Sequence, residues 1–219
     1  MMGCLYFLPA SESIETSNFD VLLSVISEER RKRINAFHFD VDKKLSLYAE
    51  LIVRFAACEM LNISNSDIII DTNEYGKPFL KNYPNFYFNV SHTRNAVVVC
   101  VAAYPIGVDI ERVKKAKPDI AKRFFTTDEQ QYVFEKNDLI DERFFEIWTK
   151  KEAYIKCLGK GLSIPLNSFS VLYDKTPYRI HTIAKGEYRI SVCTEERFDK
   201  YSMIECKENE LEPLFYALR

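Results

Sequence analysis

The chain has 219 residues, of which 47% are hydrophobic and 28% are charged, a composition that excludes a disordered chain. The formal net charge of −2 argues against general nucleic-acid binding, which needs an excess of basic residues. No apolar run approaches the ~20 residues of a membrane-spanning helix. Six widely spaced cysteines without a C-x-x-C pair indicate reduced thiols rather than disulfides or a zinc site. We expect a cytoplasmic protein that binds neither membrane nor nucleic acid.

Helical patterns follow near the start of the chain. Apolar residues at helical spacing predict one helix over residues 18–36, with the basic run 30–33 near its end. A second and stronger helix is predicted over residues 41–61. Its outward-facing polar residues are expected to be Glu50, Arg54 and Glu59.

Strand patterns come next. Residues 67–71 and 86–90 read as short strands, and the apolar run 96–103 reads as a fully buried one. Residues 104–107 are expected to form a turn, and residues 108–111 a further strand. We expect this strand to pair with residues 96–103 as a hairpin.

The second half mixes the same elements. Capping-box residues at 126–130 open a short helix that ends at 134, and a long helix covers 141–158 before Gly159. Strands are predicted at 169–173, 178–182, 188–193 and 201–206. Helices and short antiparallel strands in both halves predict an α+β fold.

Two acids stand together on the strand over 108–111. Asp109 and Glu111 are two positions apart, so they project from the same face with Cα atoms about 7 Å apart. Two neighbouring carboxylates can share a hard divalent cation such as Mg²⁺. The alternative is a solvated edge strand whose acids face water.

The long helix carries a second group. Trp148, Glu152 and Lys156 follow one another at i, i+4 and i+8, and therefore lie on one stripe. This stripe could form a charged site on a rigid element. Taken alone, the stripe favours an ordinary Glu–Lys helix pair, worth about 0.3–0.5 kcal/mol.

A third group is Asn89-Val90-Ser91-His92. Neighbouring strand residues point to opposite faces, so Ser91 and His92 cannot form a nucleophile–base pair with each other. His92 could contact a phosphate, stack on a base, or cap a turn. The basic run 30–33 could likewise be an anion site or a solvated helix end.

Together these segments resemble the 4′-phosphopantetheinyl transferases of the longer surfactin-synthetase-activating (Sfp) type. Residues 107–111 match the family motif G-[IV]-D-[IVL]-E, and residues 148–156 match W-[ST]-x-K-E-[AS]-x-x-K. Residues 76–78, 89–92 and 122–125 agree as well, so the resemblance runs from about residue 26 to 171.

The resemblance implies a transfer reaction. Such enzymes move the phosphopantetheine arm of coenzyme A to a serine of an apo acyl or peptidyl carrier protein and release adenosine 3′,5′-bisphosphate. By the same resemblance, Asp109, Glu111 and Glu152 would ligate Mg²⁺. Lys156 would contact the pyrophosphate and stabilise the leaving group. Glu152 is also the candidate base for the carrier serine, and these two roles compete.

Binding residues for coenzyme A are implied in the same way. Lys77, Ser91 and His92 match positions that hold the nucleotide, together with Asp109 and Lys156 at the pyrophosphate. Arg30 and Arg33 align with basic residues near the 3′-phosphate. Many family members carry an arginine near the start of the second helix, where this chain has Lys43 and Lys44.

The implied architecture has two similar α/β halves with small, mainly antiparallel sheets, related by a pseudo-two-fold axis. We expect the halves to be residues 1–103 and 104–219, with the active site at their junction, in a monomer. The basic residues that follow the Asp109 strand could steer an acidic carrier protein or only solubilise the chain. They are Lys114, Lys115, Lys117, Lys122 and Arg123.

Two other functions compete with the transferase. A metal-dependent hydrolase could use the same three acids to cleave pyrophosphates with water. A module that binds coenzyme A or another nucleotide without catalysis could use the same basic residues. The two complete motifs are more than either alternative needs, and they favour the transferase.

Overall fold

The computed structural model describes residues 3–11, 19–173, 175–195, 201–216 and 218, which contain three small sheets and seven α-helices. The elements before residue 105 are β1 (Cys4–Pro9), α1 (Phe19–Leu23), α2 (Glu28–Asn35), α3 (Asp40–Leu61), β2 (Ile70–Thr72), β3 (Pro78–Leu80), β4 (Tyr87–Thr93) and β5 (Ala96–Ala102). Those after it are β6 (Ile106–Arg112), α4 (Pro118–Phe124), α5 (Thr127–Phe134), α6 (Ile140–Leu158), β7 (Arg179–Lys185), β8 (Tyr188–Thr194), β9 (Ser202–Glu205) and α7 (Glu208–Tyr216).

The sheets are small and mainly antiparallel. The first has the strand order β4-β5-β1-β9, and only β1 and β9 run parallel within it. The second is the hairpin of β2 and β3, and the third has the order β6-β8-β7. The α+β class is therefore confirmed, whereas the pseudo-two-fold axis and the boundary at residue 103 stay predictions.

The central strand β5 explains how the two larger sheets are placed. Every residue of β5 is buried, because one set of its alternating side chains packs under α3 and the other packs against the third sheet. Val97, Val99 and Val101 belong to the first core, and Val98 and Cys100 to the second. A third core lies around α4, α5 and α6.

The predicted hairpin between residues 96–103 and 108–111 is wrong. Strand β6 pairs with β8 in the third sheet, with Asp109 opposite Ser191. Strand β6 contacts the first sheet through a side chain and not through strand pairing. The backbone N–H of Val108 donates a hydrogen bond to Oδ1 of Asn89 on β4, at 2.8 Å. The buried amide of Asn89 thus bridges β4 and β6.

The single helix predicted over 18–36 is two helices, and residue 18 lies outside the described residues. The chain leaves the helical path after Leu23, and Ser27 caps α2 by accepting a hydrogen bond from the backbone N–H of Arg30. Serine favours such a start because its hydroxyl replaces the missing helical partner.

The helix predicted over 41–61 is confirmed as α3, but two of its three outward residues are buried. Glu50 is 8% exposed and Arg54 is 4% exposed, while Glu59 is exposed as expected. Helix α2 covers this face, and Arg30 donates to Glu50 Oε2 while Arg54 donates to its Oε1. A buried charge of this kind is tolerated because it is paired.

The second half follows the sequence closely, with three exceptions. The capping box of Thr126 and Glu129 opens α5, and α6 ends at Gly159 with a positive φ of 67°. Residues 169–173 form no strand, and the carbonyl of Phe169 accepts a hydrogen bond from Lys151 Nζ at 2.7 Å instead of joining a sheet. Helices α4 and α7 were not predicted. In the described parts of the chain, no helix is both long and apolar enough to cross a membrane.

Candidate functional site

The site lies where β6 and α6 touch. Gly107 makes this contact possible: a Cβ added there would lie 2.1 Å from the carbonyl oxygen of Ala153 and 2.3 Å from the backbone nitrogen of Cys157. Any side chain at residue 107 would therefore push the helix off the strand. The glycine of the G-V-D-I-E motif is explained by this close approach.

Asp109 is the central carboxylate of the site. It is 5% exposed, and its Oδ1 accepts hydrogen bonds from Lys156 Nζ at 2.6 Å and from Ser91 Oγ at 2.8 Å. Its Oδ2 is buried without a hydrogen-bond partner among the described residues. Oδ1 thus accepts two hydrogen bonds, whereas Oδ2 accepts none from the described residues.

Glu111 and Glu152 complete a group of three acids. Burial raises the pKa of Glu111, and the charges of Asp109 and Glu152 raise it further. Burial and the charge of Asp109 likewise raise the pKa of Glu152. Burial also raises the pKa of Asp109, against the opposing effect of Lys156. Three mutually repelling carboxylates favour a bound cation, which would relieve the repulsion.

These acids fit Mg²⁺ by their chemistry, since the ion prefers carboxylate oxygens together with water and substrate phosphates. In the described part of the chain, however, no three His, Cys, Asp or Glu side chains stand in the arrangement of a metal site. Lys156 holds Asp109 Oδ1, the position of one candidate ligand atom. The magnesium site therefore stays a prediction.

Ser91 and His92 project from β4 to opposite faces, as the strand alternation predicts. Ser91 is buried, and its Oγ donates to Asp109 and accepts a hydrogen bond from Lys156 Nζ at 3.0 Å. His92 is exposed. Ser91 thus belongs to the charged cluster, and only His92 of the two is open to a nucleotide.

Arg30 and Arg33 lie elsewhere, on the rim of a cavity of about 510 Å³ between α2, α3 and the β2–β3 hairpin. Gly76 and Val90, next to the predicted binding residues 77 and 91, also line it. Arg30 is half-buried against Glu50, whereas Arg33 is exposed and pairs with Glu29 one turn earlier.

Lys77 reaches neither this cavity nor the acids. Its Nζ donates to the carbonyl oxygens of Ile106 and Cys157, at 3.0 and 3.1 Å. Burial lowers the pKa of Lys77. The sequence predicted a nucleotide contact, and the structure gives the ammonium two backbone partners.

Lys43 and Lys44 stand where many family members have an arginine. Lys43 pairs with Asp40 at 2.9 Å on the same helix. Lys44 is buried and pairs with Glu208 of α7 at 2.6 Å. Lys44 therefore anchors the last helix rather than a phosphate.

Lys151 has a structural role that was not predicted from the sequence. This lysine and Glu129 are both fully buried, and Lys151 Nζ lies 2.7 Å from Glu129 Oε2. Position 151 is one turn from the buried Ile147 and Ile155, so helical spacing places it on the core side. That placement could have revealed a lysine that needs a buried partner.

Comparison with known proteins agrees with the geometry. Residues 105–205 match the 4′-phosphopantetheinyl transferase superfamily, and residues 13–106 match the N-terminal region of 4′-phosphopantetheinyl transferase. A 4′-phosphopantetheinyl transferase of Bacillus subtilis is 30% identical over 92% of this chain and 91% of its own. This chain belongs to the 4′-phosphopantetheinyl transferase family.

Other relatives place the chain within the family. The transferase gsp of Aneurinibacillus migulanus is 34% identical over 92% of this chain and 84% of its own. Sfp of Bacillus subtilis is 39% identical over 68% of this chain and 67% of its own. The protein is therefore an Sfp-type phosphopantetheinyl transferase, and the family and enzyme class predicted from the two motifs are confirmed.

Proposed function

We propose that this enzyme transfers the 4′-phosphopantetheine arm of coenzyme A to a serine of an apo acyl or peptidyl carrier protein, with Mg²⁺, and releases adenosine 3′,5′-bisphosphate. The observation that carries the proposal is the buried Asp109, whose Oδ2 lacks a partner among the described residues, beside Glu111, Glu152 and Lys156. The activities of the named relatives point to the same reaction.

Asp109, Glu111 and Glu152 would hold the metal ion. Bound there, Mg²⁺ would supply charge neutralisation to the pyrophosphate of coenzyme A. The raised pKa values of the three acids agree with this role, because repulsion among them is relieved when a cation binds.

The serine hydroxyl of the carrier attacks the β-phosphorus of coenzyme A. The new bond joins the serine oxygen to that phosphorus, and the bond from phosphorus to the bridging oxygen breaks. Adenosine 3′,5′-bisphosphate leaves with the bonding electron pair. Lys156 carries the positive charge that stabilises this leaving group.

Glu152 is the proposed acceptor of the serine proton. Burial and the charge of Asp109 raise the pKa of Glu152, which makes this carboxylate a stronger base than that of an ordinary glutamate. The same carboxylate is a proposed metal ligand, and the two roles compete for its oxygens.

The nucleotide is proposed to bind along the face that bears Arg30, Arg33 and His92. Both arginines border the 510 Å³ cavity, and Arg33 and His92 are exposed. A doubly charged 3′-phosphate would find two guanidinium groups within one helical turn. Ser91 would act at the pyrophosphate end, through its bonds to Asp109 and Lys156.

The carrier protein is proposed to approach over α4, where five basic residues are exposed. An acidic partner would be steered there by charge, and the effect would weaken with salt. The residues are Lys114, Lys115, Lys117, Lys122 and Arg123. We further propose a monomer with its site at the junction of two halves, because Ser91 of one half bonds to Asp109 of the other.

Intact-mass spectrometry tests this function. Apo carriers of fatty-acid, polyketide and peptide synthesis are incubated with the protein and coenzyme A, with Mg²⁺ or with EDTA. We expect a mass gain of one phosphopantetheine arm on at least one carrier, and none with EDTA. Cleavage of coenzyme A without any gain would indicate the hydrolase instead.

A further inference from the structure

The turn between β2 and β3 docks on the carboxyl end of α6. Asn73 Oδ1 accepts hydrogen bonds from the backbone N–H groups of Tyr75 and Lys77, which shapes the turn. The other end of the same amide reaches across, since Asn73 Nδ2 donates to the carbonyl oxygen of Gly159 at 2.9 Å. One side chain thus ties the turn to the helix end.

Lys77 adds a second, more deeply buried contact between the β2–β3 hairpin and the end of α6. Its Nζ bonds to the carbonyl of Cys157, the next-to-last residue of α6, and to the carbonyl of Ile106, the first residue of β6. The last carbonyls of a helix lack helical partners and carry partial negative charge, so an ammonium is well placed there. Gly159 leaves room for the stem, since a Cβ there would lie 3.0 Å from Lys77 Cδ.

The two elements joined by Lys77 are those that carry the reacting groups. Ile106 lies three residues before Asp109 on β6, and Cys157 directly follows Lys156 on α6. The ion pair of Lys156 and Asp109, at 2.6 Å, therefore spans the same gap that Lys77 bridges. Both hydrogen bonds that the Lys77 ammonium makes within the described residues go to backbone carbonyls.

We infer that Lys77 is a positioning residue, which fixes β6 against α6 and so holds the acids and Lys156 in register. This inference rests on the proposed function, and it replaces the nucleotide contact expected from the sequence. A displacement of about 1 Å between reacting groups can cost a hundredfold in rate. Loss of the bridge should therefore reduce turnover more than it reduces coenzyme A binding.

The test compares Lys77→Met with Lys77→Arg and with the control Lys81→Met. Lys81 lies on the same hairpin, is exposed, and pairs only loosely with Asp71 at 3.7 Å. We expect Lys77→Met to lower kcat about tenfold or more while the KM for coenzyme A changes less than threefold. Lys77→Arg should recover part of the loss, and Lys81→Met should match the wild type. A raised KM with unchanged kcat, or no change in either, would overturn the inference.

Hydrogen exchange gives a second readout that does not depend on activity. Amides of residues 106–112 and 153–159 should exchange faster in Lys77→Met than in Lys81→Met, and equal exchange would overturn the positioning role. If Lys77→Met does not fold, Asn73→Ala removes only the bond to Gly159 and the turn contacts, and should shift kcat and exchange in the same direction. Absence of transfer by the wild type would instead contradict the proposed function and leave the exchange comparison decisive for Lys77.

Discussion

Two of the three lysines of helix α6, Lys151 and Lys156, each pair with a carboxylate from another element, but the surroundings of the two pairs differ. Around Lys151, both partners are fully buried, and Glu129 also accepts hydrogen bonds from the backbone N–H groups of Thr126 and Val171. Around Lys156, the lysine side chain is 28% exposed, and the buried Oδ2 of Asp109 lacks a hydrogen-bond partner in the described residues. We call the pair of Lys151 and Glu129 the saturated pair, because its charged groups are surrounded by hydrogen-bond partners. We call the pair of Lys156 and Asp109 the unsaturated pair, because one carboxylate oxygen has no such partner among the described residues.

This difference separates a structural pair from a functional one. Lys151 also donates to the carbonyls of Leu166 and Phe169, so its charge is compensated by fixed groups on every side. Asp109 instead lies near Glu111 and Glu152, and its charge raises the pKa of both. A buried charged group that lacks a hydrogen-bond partner can still bind a ligand, whereas a saturated pair has no group left for one.

The largest expected effect is on stability, at the saturated pair. Lys151→Met should lower the free energy of unfolding by about 3–5 kcal/mol, because it leaves Glu129 charged and buried without its partner. Lys150→Met is the control on the same helix. It removes a one-turn pair with Glu146 and should cost about 1 kcal/mol or less. Urea unfolding followed by the fluorescence of Trp148 measures the stability of both variants. Equal losses of stability in Lys151→Met and Lys150→Met would contradict the structural role of the buried pair.

The second prediction concerns turnover, at the unsaturated pair. Asp109→Asn should reduce phosphopantetheine transfer about 10²–10³-fold, as removal of one electrostatic group from a reaction site does. Its stability should stay equal or rise, because the substitution removes a buried charge that is incompletely paired. Asp20→Asn, at an exposed residue of α1, should leave transfer unchanged. Transfer by Asp109→Asn within threefold of the wild type would refute the assignment.

The third prediction tests the contact on which the unsaturated pair depends. Gly107→Ala places a methyl group against the backbone of Ala153 and Cys157, which cannot move aside as a side chain would. We expect a stability loss of about 1–3 kcal/mol and a marked loss of transfer. Gly186→Ala has open space around its Cβ but a positive φ of 54°, so it should lose stability through backbone strain while keeping transfer. Retained transfer in Gly107→Ala would show that the close approach is dispensable.

The fourth and smallest effect is a dependence of stability on pH without metal. Groups whose pKa is raised on folding bind protons more tightly in the folded state. Their contribution to the free energy of unfolding is therefore greatest at low pH and is lost as the pH rises through the pKa of the folded state. Asp109, Glu111 and Glu152 are such groups. Asp109→Asn removes one of them and lowers the pKa of the other two.

The stability of Asp109→Asn relative to the wild type should therefore increase between about pH 4 and neutral pH. Urea unfolding of both proteins in EDTA at several pH values measures this difference. Other titrating groups are common to the two proteins and cancel in it. A difference that does not change with pH would show that the three acids do not interact.

The sequence predicted what local patterns determine. Helical spacing placed α3, a capping box placed the start of α5, and Gly159 placed the end of α6. The two motifs identified the family and brought Asp109 and Lys156 into one hypothesis. Within the fold, Ser91 joined them because strand alternation puts it on the buried face.

The failures came from partners that are distant in the sequence. Helical periodicity assigned Glu50 to the surface, and only the position of Arg30, 20 residues earlier, explains its burial. The spacing of 104–107 suggested a hairpin, but pairing with β8, about 80 residues later, is what positions β6. The nucleotide contact expected for Lys77 stays a prediction, but its two carbonyl partners could not be predicted, because they follow only from the tertiary contact.

The most direct test of the account is Mn²⁺ binding, followed by electron paramagnetic resonance of the free ion in the presence of coenzyme A. We predict one Mn²⁺ per wild-type chain, displaced by Mg²⁺, with affinity at least tenfold weaker in Asp109→Asn and unchanged in Asp20→Asn. Equal affinity in the wild type and Asp109→Asn, or no stoichiometric binding at all, would contradict the claim that the unsaturated pair is the metal-binding part of the site.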